Sequence, residues 1–136
     1  MGKFGKDGMS ILRRAHIEGS KRSRFDDKKE GVDGRFIYAD VSYKNHLSNW
    51  KQFAEWAEKN GLKRIGQIQK KDVENYVKEL VDSGMSKKTI ESRIGAINKI
   101  MLYSERWNNE SRIVLSKIEG VKARELPTKV YKDLTA

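Results

Sequence analysis

Between Val41 and Asn60 the apolar residues Tyr43, Leu47, Trp50, Ala54 and Ala57 return at three- and four-residue spacing. That spacing gathers them on one face of an α-helix, and Gly61 supplies the expected stop. A second helical pattern runs from Lys71 to Ser83, with Val73, Tyr76, Val77 and Leu80 inward and Gly84 at its end. A third opens at Ser86, a good N-cap, and carries Ile90, Ile94, Ile97 and Met101 inward to about Trp107. The pattern predicts helices over 41–60, 71–83 and 86–107 around one core of Trp50, Phe53, Tyr76, Leu80, Ile94 and Ile97.

The flanks are less regular. Residues 1–40 are rich in Gly, Lys, Arg and Asp, with scattered apolar side chains. Within them Ser10 to Ile17 reads as a short helix with Ser10 as N-cap, stopped by Gly19-Ser20 and followed by the basic run Lys21-Arg22-Ser23-Arg24. The expectation is a basic, partly flexible N-terminal arm, either ordering on a polyanion or remaining a solvated leader. Beyond Trp107, Ile113-Val114-Leu115 reads equally as a strand or a poor helix, and Leu126-Pro127-Thr128 as a linker.

Composition narrows the partners. A chain of 136 residues with 37% apolar residues fits one domain with a real core. Its net charge of +10 favours a polyanion, most often nucleic acid, against the plainer reading of a solvated charged surface. Absence of cysteine excludes disulfides, thiolate catalysis and thiolate metal sites. No apolar run approaches membrane-spanning length and no signal-peptide core opens the chain, so a cytoplasmic, nucleoid-associated protein is expected.

Candidate chemistry lies on the helix faces. Lys88, Ser92, Gly95 and Lys99 form a stripe opposite the isoleucines of the third helix, and Arg106 extends it. Lys87, Lys88 and Thr89 occupy its first turn, where free amides and the positive helix end favour an anion. On the first helix Asn45, Asn49 and Gln52 make an amide stripe beside Ser42 and Ser48, suited to base edges or water-bridged phosphates. The second helix carries Glu74, Glu79 and Asp82 with Lys78 outward, so it is expected on the far side, packing the other two apart. His46 reads as a half-buried packing residue, and His16 and His46 without clustered carboxylates suggest no metal. Trp50 and Phe53 read as core, while Trp56 sits further round.

The order Ser42, His46, Trp50, Phe53, Trp56, followed by the block Ser86 to Asn98, resembles the core-binding (SAM-like) domain of tyrosine recombinases, the phage-type integrases. In that family Thr, Tyr and Leu commonly precede the shared Phe and Trp. Ser86, Thr89, Ile90, Arg93 and Ala96 agree with the family block, whereas Gly95 and Asn98 stand where Ser and Arg are usual. The resemblance covers roughly the middle half of the chain.

It implies an all-α, SAM-like bundle of about four helices forming half of a C-shaped clamp on duplex DNA. It further implies an arm over 1–40, the binding domain over 41–120, and a linker over 121–136 towards a catalytic domain that would begin near Ala136. The DNA-binding residues expected are Ser42, Asn45, His46, Asn49, Gln52, Lys87, Lys88, Thr89, Ser92, Arg93 and Lys99. His46 stands where the family's backbone-contacting Tyr is common. No catalytic residue, cofactor, metal, membrane or small-molecule substrate is expected, and Tyr131 lacks the Arg and His partners of a nucleophile. Other recombinase protomers on the same DNA are the further partners implied. The competing reading is a SAM-like protein–protein interaction module with an incidental basic surface. A small nuclease is disfavoured because metal-dependent cleavage needs clustered carboxylates.

Overall fold

Helix α1 (Lys3–Gly19) turns the glycine-rich start of the chain into part of the core. Phe4, Ile11, Leu12 and Ala15 share its buried face with Gly5, Gly8 and Gly19. A Cβ at Gly8 would fall inside the ring of Trp50, and the Trp50 indole N–H donates to the Gly5 carbonyl at 2.8 Å. The partly flexible arm expected over 1–40 is therefore corrected to a packed helix over most of its first half. Its glycines are there for close approach, not for a loop. The Glu58 carboxylate caps the start of α1 by accepting from the N–H groups of Gly2 and Gly5 at 3.1 and 3.0 Å.

The computed structural model describes residues 2–128, and Tyr131 lies outside them. The chain continues through α2 (Arg24–Lys29), α3 (Asp40–Lys59), α4 (Lys70–Asp82) and α5 (Lys87–Tyr103), with 3-10 turns at Asp33–Arg35, Ile65–Gln67, Leu115–Lys117 and Ala123–Glu125. Among the described residues there is no strand. The domain is all-α. Trp50, Phe53, Tyr76, Leu80, Ile94 and Ile97 are buried in one cluster, as the periodicity predicts.

Helices α3, α4 and α5 end alike. Gly61 and Gly84 take φ of +89° and +79°, and the next residue's N–H returns to a carbonyl five residues back. In α5 the left-handed position is filled by Glu105 at φ +58°, with the Arg106 N–H on the Met101 carbonyl at 2.9 Å. No Gly or Pro marks that stop, which is why the pattern overran to Trp107.

Two further expectations change. Helix α3 packs directly on α5, so α4 does not separate them. Instead α4 packs on α5 and brings the Tyr76 ring to 5.1 Å from Phe53 and 5.2 Å from Trp56. The segment after α5, read as a strand or a poor helix over 113–115, is neither: an extended Val114 leads into the 3-10 turn at Leu115–Lys117. The Asn98 side chain donates to the Ile113 carbonyl at 2.8 Å and accepts from its N–H at 2.9 Å, while Ile113, Leu115 and Ile118 are buried. The described part of the expected linker also packs, since the Pro127 carbonyl accepts from the Lys87 N–H at 2.9 Å.

Between α1 and α3 the chain is pinned by His16 and Asp27. His16 sets Nδ1 at 2.9 Å from the Ile37 carbonyl and Nε2 at 2.7 Å from Asp40 Oδ1, with its ring stacked on Tyr43. Buried Asp27 accepts from the Arg22 guanidinium and, at 2.7 Å, from the Tyr38 hydroxyl.

Candidate nucleic-acid interface

Helices α3 and α5 run antiparallel. Ser42 and Lys99 line one recess, and His46 meets α5 at Gly95, where a Cβ would lie 3.9 Å from the imidazole. At that distance a methyl group would make ordinary contact with the ring, so the helix pairing does not itself demand a glycine at 95.

The sequence-derived residues divide accordingly. Ser42, Asn45, Gln52, Lys88 and Ser92 are exposed. Asn49 is half-buried and spends its amide N–H on the Asn45 carbonyl at 2.8 Å. Thr89 is taken up in capping α5: its N–H donates to the Ser86 Oγ at 3.2 Å, and the Ser86 hydroxyl donates to the Thr89 Oγ1 at 3.0 Å. The Lys87 N–H, one of the first-turn amides expected to hold an anion, is occupied by Pro127. Arg93, expected on DNA from the family block, donates from Nη1 to the Tyr76 hydroxyl at 2.9 Å across the α4–α5 seam. Arg106 leaves the stripe, because α5 has already ended.

At one end of the α3–α5 surface lies a recess of about 260 Å³ lined by Arg24, Asp33, Phe36, Ser42, His46 and Lys99. Lys99 is half-buried and donates from Nζ to the Phe36 carbonyl at 2.9 Å. An ammonium has three donors, so two remain for another partner. Burial pushes the Lys99 pKa down to about 8, so the group is still mostly charged at neutral pH. Burial, helped by the Lys99 charge, pushes His46 down to about 4, which leaves a neutral imidazole. Its Nδ1 is buried without a hydrogen-bond partner. His46 thus offers this recess a neutral imidazole with one buried nitrogen free of a partner.

Arg24 is the residue of this recess that the spacing argument missed. It lies in α2, with its guanidinium 5.9 Å from the Tyr38 ring, inside what the sequence presented as a basic run. Nothing in the periodicity of α3 or α5 could have placed it there. Among the described residues no group of three His, Asp or Glu side chains converges as a metal site would require, and no helix is long and apolar enough to cross a membrane.

A family model described as phage integrase, N-terminal SAM-like domain, matches residues 38–106. The match takes in α3, α4 and α5 and leaves α1 and α2 outside it. No curated protein and no solved structure matches the chain.

Proposed function

The chain belongs to the phage integrase N-terminal SAM-like domain family, and from that premise we propose that it binds double-stranded DNA as the core-binding portion of a site-specific tyrosine recombinase. The observation that supports this reading is the α3–α5 pair, which brings Ser42 and His46 of α3 together with Lys99 of α5 and leaves Asn45, Gln52, Lys88 and Ser92 exposed on the same two helices. Lys and Ser donate to phosphate oxygens, and amides at major-groove depth pair with base edges. Ser42, Asn45, His46, Gln52, Lys88, Ser92 and Lys99 are the proposed contacts. Asn49, Lys87, Thr89 and Arg93 hold the surface in shape through the bonds described above. On α4 the acidic Glu79 accepts from the Trp56 indole N–H, and Glu74 and Asp82 would repel phosphate there.

The role is binding without bond cleavage, and the partners are a recombination site and further protomers seated on it. Residence in the cytoplasm with the nucleoid follows from that partner. The test is a duplex titration at several salt concentrations. Wild type should show a steep linear loss of log affinity with log salt, and Lys88→Ala should flatten it by about 0.9, one phosphate contact. No covalent protein–DNA adduct should form. Salt-independent or absent duplex binding would overturn the reading in favour of a protein-interaction module.

A further inference from the structure

A second basic surface lies apart from the α3–α5 face. Along α1, Lys3, Asp7 and Arg14 fall on one stripe, and this stripe forms a wall of an open groove of about 680 Å³. The opposite wall is the 3-10 turn at Ile65–Gln67 with Arg64 before it, joined by Arg106 from beyond α5. Gly66 makes room for that arginine, since a Cβ there would lie 2.8 Å from Arg106 Nη1.

Lys3, Arg14, Arg64 and Arg106 are exposed, and none takes part in an ion pair among the described residues. Asp7 is the single acid of the lining. Its apolar floor, Ile11 and Ile65, is buried to 9% and 6% exposure and offers no anchor to a peptide side chain. Cations projecting from two walls over a covered floor suit a line of phosphates, and guanidinium groups pair with phosphate oxygens through two parallel N–H bonds.

We propose that this groove holds the backbone of duplex DNA as a second contact surface, distinct from the α3–α5 face. About 22 Å of helix separates Lys88 from Tyr103, close to Arg106, against a screening length of about 8 Å at physiological salt. Lys88 and Arg106 therefore act on different phosphates. One wall is α1, which lies outside the matched residues 38–106, and the other lies within them. The proposal takes only the identity of the polyanion from the function proposed above.

Arg64→Gln/Arg106→Gln, Lys88→Ala and the triple variant are compared with wild type by duplex titration from 50 to 200 mM salt. Unchanged melting points verify folding, since all three positions are exposed. If each arginine holds one phosphate, the double variant lowers the slope by about 1.8, and the affinity lost across that fourfold salt range shrinks by about twelvefold. The effect should add to that of Lys88→Ala, and the double Arg→Lys variant should restore most of the slope. Wild-type slope and affinity in the double variant, with Lys88→Ala impaired, would overturn the groove and leave the α3–α5 reading intact. Poly-glutamate that binds wild type but not the double variant, with the DNA slope unmoved, would also overturn it, in favour of an acidic protein. Loss of all duplex binding by wild type would sink both readings together.

Discussion

Gly8 and Trp50 meet with no space between them: the indole occupies the volume that any side chain at position 8 would need. The same ring donates to the Gly5 carbonyl and stacks on Phe4 at 5.2 Å between centroids. Three residues of α1 thus converge on one fully buried tryptophan of α3.

Gly8→Ala should therefore destabilise the fold. In an exposed helix interior the same change stabilises by about 1 kcal/mol. Here the added methyl must push α1 off Trp50, and overpacking of that kind costs about 1–3 kcal/mol. Chemical denaturation compares it with Ser10→Ala on the exposed side of α1, which should be near neutral. A Gly8→Ala protein as stable as wild type would mean that α1 is not seated on Trp50.

The three central helices were legible because each has a full apolar stripe and a marked stop or start: Gly61, Gly84 and the Ser86 cap. Helix α1 was not, because the small residues that fit it against α3 are the ones that elsewhere signal loops. The side-chain roles behaved similarly. Lys88 and Ser92 could be placed from the position opposite Ile90 and Ile94. Lys99 could not be separated from them, because what half-buries it is the chain near Phe36, sixty-three positions away in sequence. Arg24 and Arg106 came to their places through loops whose paths have no periodicity to read.

The two histidines should shape stability against pH in adjoining windows. His16 hydrogen-bonds to an Ile37 carbonyl and to Asp40, an arrangement that favours the doubly protonated ring and raises its pKa. Its contribution is complete below the unfolded value of about 6.5 and is lost as pH rises through the folded one. His46 is depressed to about 4, so the unfolded chain takes up a proton between there and about pH 6.5 that the fold does not. Stability should then peak near pH 6.5, with each flank carrying a slope of at most about 1.4 kcal/mol per pH unit from its histidine. A pH series of denaturant midpoints should lose the alkaline slope in His16→Asn and the acid slope in His46→Asn. Unaltered flanks in both variants would refute the assignment.

Asn98→Ala removes both hydrogen bonds to Ile113 and strands that residue's N–H and carbonyl beside buried side chains. The cost should be about 2–3 kcal/mol, greater than for a neutral surface change. Hydrogen exchange should locate the loss at residues 113–118 before the rest of the domain. Uniform loosening of the whole bundle would argue that the segment is not separately tethered.

Lys99 and Lys88 share a helix stripe, yet their contributions to DNA affinity should differ in pH dependence. Lys99 loses its proton near pH 8 because the fold desolvates it. A phosphate brought to the recess would restore the ammonium's balance and draw the proton back, so binding should take up a proton as pH passes about 8. Wild-type affinity should accordingly fall between about pH 7 and about pH 9, and calorimetry in buffers of different ionisation enthalpy should show the uptake. Lys99→Met should abolish both effects and reduce the salt slope by about 0.9. Lys88→Ala should reduce the slope and leave the proton uptake in place. If Lys99→Met keeps the wild-type pH profile and uptake, phosphate does not reach the recess, and Lys99 serves only to hold the Phe36 carbonyl.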